Sequence, residues 1–232
     1  EGIRCYAQGG GETRKAYRLL RQAAAVCSPS ERLEVVWRMY DARFGYRLDR
    51  QTSLNTIRGM EGARMRECYA EAAREYCLPW QGRKYDRTNW ARADPINRAL
   101  SAANACLTGI CHTAIVSGGY STALGFLHTG RQLSFVWDIA DLYKAEITIP
   151  LAFRLVSETP EGADGRIRAA CRDAFTQARL LKRILPDIDR LLGLEQEETQ
   201  YDQIDSEEGI PVSLWSELFD LSPEASDDSS TP

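Results

Sequence analysis

The sequence predicts an all-α, multi-helix fold across residues 13–192, and three observations carry that expectation. Apolar residues recur at spacings of three and four through most of the span, as they do along one face of a helix. Helix-start pairs, Ser28-Pro29 and Asp94-Pro95, and glycine stops, Gly45 and Gly118-Gly119, punctuate it. At Gly193 the character changes to an acidic, Ser- and Asp-rich segment with few core residues, which is expected to be mostly disordered.

Taken in order, Ile3-Arg4-Cys5-Tyr6-Ala7 alternates like a strand, so residues 1–12 read as the end of a β-domain or a connector. With no initiating Met, the chain is expected to start inside a larger protein. Arg14 to Val26 is the first helix. Ser28-Pro29-Ser30-Glu31 opens a second, which runs to about Phe44 and stops at Gly45. A long third helix covers about Ser53 to Tyr76. Pro79 to Asp94 is a loop, broken by Pro79, Gly82, Asp86 and Asn89 and made aromatic by Trp80, Tyr85 and Trp90. Asp94-Pro95 starts a fourth helix, rich in Ala and Cys, that ends near Ser117. Short turns around Gly125 and Gly130 follow. A fifth helix is expected from Leu133 to about Lys144, with a break at Pro150 and helix again to about Ser157. The last, Gly165 to Leu192, is expected to kink or split at Pro186. Within the acidic tail of residues 193–232, Ile210 to Phe219 holds Trp215 and Phe219, which suit a docking peptide or a fold-back segment.

Composition sets limits on function. No run of eighteen apolar residues is present, and the first residues lack the basic start and apolar run of a signal peptide, so no membrane role is expected. The seven cysteines form no C-x-x-C pair, which argues against a zinc site and for small buried hydrophobes in a reducing cytosol. The overall charge of −4 conceals an asymmetry: residues 193–232 carry twelve of the 33 acids and no Lys or Arg, so residues 1–192 hold 29 basic against 21 acidic residues. Of those 29, 25 are Arg, whose planar fork binds phosphate bidentately. A basic body suits a polyanion partner. A genome rich in G and C accounts for the Arg bias equally well.

A small set of residues could carry chemistry. Glu61 sits on the apolar stripe of the third helix, between Ile57 and Met65, where a carboxylate is costly unless paired or metal-bound. Arg58 and Arg64 lie within one turn and offer the ion-pair alternative. His128 stands in the glycine-flanked turn Gly125-Phe126-Leu127-His128-Thr129-Gly130, and a solvated loop His is the plainer reading; His112 is read as an ordinary helix residue. Asp138 and Asp141, three apart, share a helical face among Phe135, Val136, Trp137, Ile139 and Leu142, and their repulsion calls for a divalent cation or an Arg between them. For Asp138 a place early in its helix is the alternative. Three carboxylates and one imidazole in an Arg-rich body suit a hard divalent ion beside a phosphodiester.

These residues, in order and spacing, resemble the CRISPR spacer-acquisition integrase family (CRISPR-associated protein one), most closely its type I-E branch. The similarity rests on Arg58-Gly59-Met60-Glu61-Gly62 with Arg64, on Ala102 to Leu107 leading to Gly118-Gly119-Tyr120, on Gly125-Phe126-Leu127-His128, and on Leu133 to Asp141. It runs from about Ile3 to Leu192. The resemblance implies a helical catalytic domain whose amino-terminal β-sandwich is absent, with Ile3 to Ala7 as its last strand or connector. It implies an Mg²⁺ or Mn²⁺ ion held by Glu61, His128 and Asp141, with Asp138 as a further acid needed for activity. Arg4 matches a basic residue near the active site, and Tyr85 and Arg131 match positions near the single-stranded end of incoming DNA. Arg58 and Arg64 complete the expected DNA-binding set. Thr108 and Trp137 depart from the family, which carries Tyr at both positions.

The implied reaction is transesterification, joining 3′-hydroxyl ends of short DNA fragments (protospacers) to a CRISPR repeat, with no nucleophilic side chain required. The implied partners are DNA, CRISPR-associated protein two and a second copy of the chain within a larger complex in the cytoplasm. Two alternatives accompany this reading: a metal-dependent nuclease on branched or single-stranded DNA that joins nothing, and a non-catalytic helical scaffold whose acids make structural ion pairs.

Overall fold

A computed structural model of the chain describes residues 11–12, 14–84, 93–160, 162–194 and 210–211. Arg4, Tyr85, Trp90, the strand-like start and residues 212–219 of the expected docking peptide lie outside the described residues. The all-α expectation holds: the body is a helical domain, and the described residues add only a two-residue antiparallel pairing of β1 (Gly11–Glu12) with β2 (Ile210–Pro211), in register Gly11 with Pro211.

The first four helices form where the sequence signals them. Helix α1 is Arg14–Cys27 and α2 is Pro29–Phe44. Ser28 caps α2 by accepting the Glu31 N–H, and Gly45, at φ 77°, closes it by donating to the Asp41 carbonyl. Helix α3 is Leu54–Glu75, where the Ser53 hydroxyl accepts the Thr56 N–H at 3.1 Å. Helix α4 is Pro95–Ser117, capped by Asp94, which accepts the Asn97 N–H at 2.9 Å. Each such cap is worth about 1 kcal/mol.

Helix α4 is the axis of the molecule. Ala99, Leu100, Ala103, Leu107, Cys111 and Ile115 along it have no exposed surface. It packs against α5 (Ser134–Ala140), α6 (Ile149–Glu158), α7 (Ala163–Gln177) and α8 (Leu180–Leu192). By length and composition α4 alone among the described helices could cross a membrane, but it is a core helix wrapped by its neighbours. The larger core gathers Met39, Ile57, Leu107, Phe135, Ile139 and Ile184; a smaller one holds Ala72, Leu100, Ala152 and Phe153, with Trp80 stacked on Tyr69 at 5.1 Å. Burying each large side chain contributes about 2 kcal/mol.

Two expectations are corrected. The fifth helix does not run from Leu133 to Lys144: α5 ends at Ala140, a turn follows, and a π-helical turn occupies Lys144–Thr148. Pro150 does not break the chain there, because it lies at the start of α6, where a missing N–H costs nothing. The last helix does not split at Pro186, which α8 contains on its exposed side. The division falls at Arg179, held at φ 50° between α7 and α8. A backbone reversal of that kind leaves no local signature in an ordinary residue.

The cysteine expectation is half met. Of the six described cysteines, all free, Cys111 and Cys171 are buried while Cys27 and Cys77 are exposed. Burial pushes the Cys111 thiol up to about 12, which makes it an inert core side chain.

Candidate active site

The site forms where the 125–131 turn, α5 and the end of α2 meet α3. The turn is shaped by close packing. A Cβ at Gly125 would stand 2.2 Å from the His128 carbonyl oxygen and 2.8 Å from the Ser134 Cβ, so only glycine fits. Phe126 is buried edge-on to Phe135 at 6.0 Å. Upstream, the fully buried Gln22 side chain donates to the carbonyls of Ser121 and Leu124 and accepts the Ser121 N–H at 2.7 Å, which fixes the approach to the turn.

Asp138 organises the turn from beneath. Its carboxylate is fully buried and accepts the N–H groups of Phe126, Leu127 and His128 at 2.6, 3.1 and 2.9 Å. The His128 Nδ1 lies 2.7 Å from the Asp138 Oδ1. A carboxylate offers only acceptors, so the contact places a proton on Nδ1 and leaves Nε2 as the nitrogen not engaged by Asp138. The His128 side chain is 43% exposed, and Trp137 meets the ring edge-on at 5.9 Å. Asp138 is the fifth residue of a seven-residue helix, so a place early in the helix is not what accounts for it.

Glu61 and Asp141 form the other half. Glu61 accepts two hydrogen bonds from Arg64, at 2.8 and 3.0 Å, so the ion-pair alternative is realised with Arg64. Arg58, by contrast, is exposed and lines a separate cleft. Asp141 pairs with Lys144, three residues on. Between the two acids lies Arg43 from the end of α2, with Nη1 4.0 Å from Glu61 and Nη2 3.4 Å from Asp141. Arg43 also donates to the Asp138 carbonyl at 3.3 Å. The expected cation or Arg between the Asp138 and Asp141 carboxylates is not what relieves them: the carboxylates diverge, Asp138 binding the turn and Asp141 facing Arg43 and Lys144, and Arg43 reaches only the backbone carbonyl of Asp138.

The donor set suits a hard divalent ion: two carboxylates and an imidazole whose proton is already directed to a buried acid. Among the described residues, no three His, Cys, Asp or Glu groups converge on one point, because Arg64, Lys144 and Arg43 hold the carboxylates. Arg43 and Lys144 went unnoticed in the sequence. Lys144 carried a signal, its i+3 spacing from Asp141; Arg43 carried none, since its contacts with the acids are all tertiary.

Next to the site, a cleft of about 430 Å³ is lined by Arg32, Arg58, Leu33, Leu54, Phe126 and Leu127. Arg32 donates to the Phe126 carbonyl at 3.0 Å and ties the cleft to the turn that carries His128. Arg131 is exposed on the far side of His128 in the chain, and its backbone bonds with Ser134 open α5. His112 is an exposed residue of α4, as expected. Thr108 turns its hydroxyl back onto the Asn104 carbonyl at 2.8 Å.

Fold and site together define a class: a helical domain with a buried acid paired to a histidine and two further acids held by Arg and Lys. The chain belongs to the Cas1 family, whose model, described as CRISPR-associated protein Cas1, matches residues 10–164. It is 50% identical over 93% of its length to the CRISPR-associated endonuclease Cas1 2 of Thermus thermophilus, covering 66% of that protein. It is 40% identical over 83% of its length to the CRISPR-associated endonuclease Cas1 of Escherichia coli, covering 63% of it. Among solved structures, a TtCas1–DNA complex superposes with a TM-score of 0.71 at 50% identity, over 75% of this chain and 65% of that one. The chain therefore spans just under two thirds of the relatives it matches.

Proposed function

We propose that this chain carries the catalytic domain of a metal-dependent DNA integrase of CRISPR adaptation, of the type I-E branch. The observation that carries the reading is the His128–Asp138 pair: a buried acid 2.7 Å from Nδ1 fixes the ring and leaves Nε2 as its free nitrogen, while Glu61 and Asp141 both lie within 4.0 Å of Arg43. The family assignment and the Cas1–DNA relative support DNA as the partner.

Glu61, His128 and Asp141 are the residues that would hold Mg²⁺ or Mn²⁺, which when bound polarises the phosphoryl group and stabilises the entering and leaving oxygens. Asp138 keeps the His128 proton at Nδ1 and so orients the ring. Arg58, Arg64 and Arg131 bind backbone phosphates, and Arg4 and Tyr85 assist near the DNA end. The attacking group is the 3′-hydroxyl of the incoming protospacer. A phosphodiester forms between that oxygen and a repeat phosphate as the bond to the repeat's own 3′-oxygen breaks, so the number of diesters is unchanged. The hydroxyl proton leaves with solvent, and no side chain needs to attack. CRISPR-associated protein two and a second copy of the chain are the proposed protein partners, in the cytoplasm.

The test compares a short duplex carrying 3′-hydroxyls with the same duplex ending in 3′-deoxynucleotides, each incubated with the protein, its small partner and a plasmid bearing a repeat in Mn²⁺. Joined product from the hydroxyl duplex alone supports integration. Cleavage that ignores the 3′ end supports a plain nuclease. One observation favours the scaffold alternative, the bidentate Glu61–Arg64 pair. In that case Glu61→Ala lowers stability and abolishes no reaction.

A further inference from the structure

The guanidinium of Arg43 is sparsely bonded for a buried cation. Its side chain is 6% exposed, yet it makes a single hydrogen bond, to the Asp138 carbonyl at 3.3 Å, and its buried Nε has no hydrogen-bond partner among the described residues. A buried guanidinium usually uses its five donors in bidentate bonds to carboxylates. Here two carboxylates face it, Asp141 at 3.4 Å and Glu61 at 4.0 Å, and neither is close enough to be well bonded. Each is drawn instead to a more exposed cation: Glu61 to Arg64, whose side chain is 23% exposed, and Asp141 to Lys144, 28% exposed. Arg43 is anchored at its back by the Tyr40 ring, 5.9 Å from its carbon.

We infer that Arg43 is a positioning residue for both acids. Arg64 and Lys144 are partners the carboxylates exchange for a divalent ion, whereas Arg43 stays and donates a hydrogen bond to each acid's second oxygen. This rests on the proposed metal reading. Each of the two carboxylates has two oxygens, so each can serve an ion and Arg43 together. Removing a cation beside the site would by charge alone tighten metal binding. Orientation opposes that and dominates here, because without Arg43 two partly buried acids repel each other and remain with Arg64 and Lys144. Outer-sphere partners of this type are worth about 10–100-fold in metal affinity.

The test is direct Mn²⁺ titration of the full chain by calorimetry, for the native protein, Arg43→Gln and Arg43→Lys, alongside melting temperatures in EDTA and in saturating Mn²⁺. The expected result is a 10–100-fold weaker Kd for Arg43→Gln and a Kd between the two for Arg43→Lys. A merely structural role would lower the EDTA melting temperature and leave Kd unchanged, which overturns the inference. Equal or tighter binding by Arg43→Gln also overturns it and makes the guanidinium a competitor of the ion. If Arg43→Gln does not fold, Arg43→Lys decides: native affinity in that variant overturns the inference, because Lys keeps the charge and loses the planar fork. A native protein that binds no Mn²⁺ sinks the metal reading itself.

Discussion

His128 Nδ1 lies 2.7 Å from Asp138 Oδ1, and the same carboxylate accepts three successive backbone N–H groups from Phe126 to His128. Asp138 therefore sets both the path of the turn and the proton position on the ring it carries. With its oxygens fully engaged and no exposed surface, it acts as a positioning acid, and under the proposed function ion binding falls to Glu61, His128 and Asp141.

Asp138→Asn keeps the shape and replaces an acceptor oxygen with a donor amide. At least one of the four donors then faces another donor. Stability should fall by about 1–3 kcal/mol, and metal affinity or activity by about 10–100-fold. Thermal melts and Mn²⁺ titration check both; native affinity in this variant contradicts the positioning role.

Gly125→Ala tests the packing of the turn. The added methyl would lie 2.2 Å from the His128 carbonyl oxygen and 2.8 Å from Ser134 Cβ, both parts of the framework. A loss of about 1–3 kcal/mol is expected, with a drop in DNA joining at a temperature where the variant is folded. A neutral result on both counts would contradict the close approach.

Arg179→Gly tests the chain reversal between α7 and α8. Arg179 is exposed and sits at φ 50°, where a Cβ costs about 1–2 kcal/mol. Glycine's greater freedom in the unfolded chain offsets about half of that. The melting temperature should rise by about 1–3 °C, and Arg179→Ala should not raise it.

Acid should weaken the fold through two surface pairs. Burial pushes the Asp41 carboxyl up, but the Arg50 guanidinium at 2.6 Å and the Leu48 N–H outweigh it and hold the group below its ordinary value of 3.8. The Arg183 guanidinium, bonded bidentately at 2.7 and 2.8 Å, holds Glu146 below its ordinary 4.5. A depressed folded pKa means the stabilisation is full above the ordinary value and is lost as pH falls through the folded one. Melting temperature should therefore decline below about pH 4.5, and less steeply in Asp41→Asn and Glu146→Gln.

Where the chain declares itself locally, the sequence is legible. Ser28, Ser53, Asp94 and Gly45 mark the bounds of α2, α3 and α4 because capping is a local hydrogen bond. The π-helical turn at Lys144–Thr148 and the reversal at Arg179 are not legible, since tertiary packing imposes them on residues that would accept an ordinary helix. The same division runs through the site. Glu61, His128, Asp138 and Asp141 stood out as polar groups in apolar or glycine-rich settings. That Asp138 reaches back under the 126–128 turn while Asp141 faces Arg43 depends on how α2, α5 and the turn dock, which spacing along α5 cannot reveal.

The most direct test of the central claim is strand transfer by the native chain and His128→Ala, with the small partner, a 3′-hydroxyl duplex and a repeat-bearing plasmid, in Mn²⁺ and in EDTA. The account predicts joined product from the native chain in Mn²⁺ alone, and none from His128→Ala in either condition. Joining that survives EDTA, or that His128→Ala supports at the native rate, would contradict it.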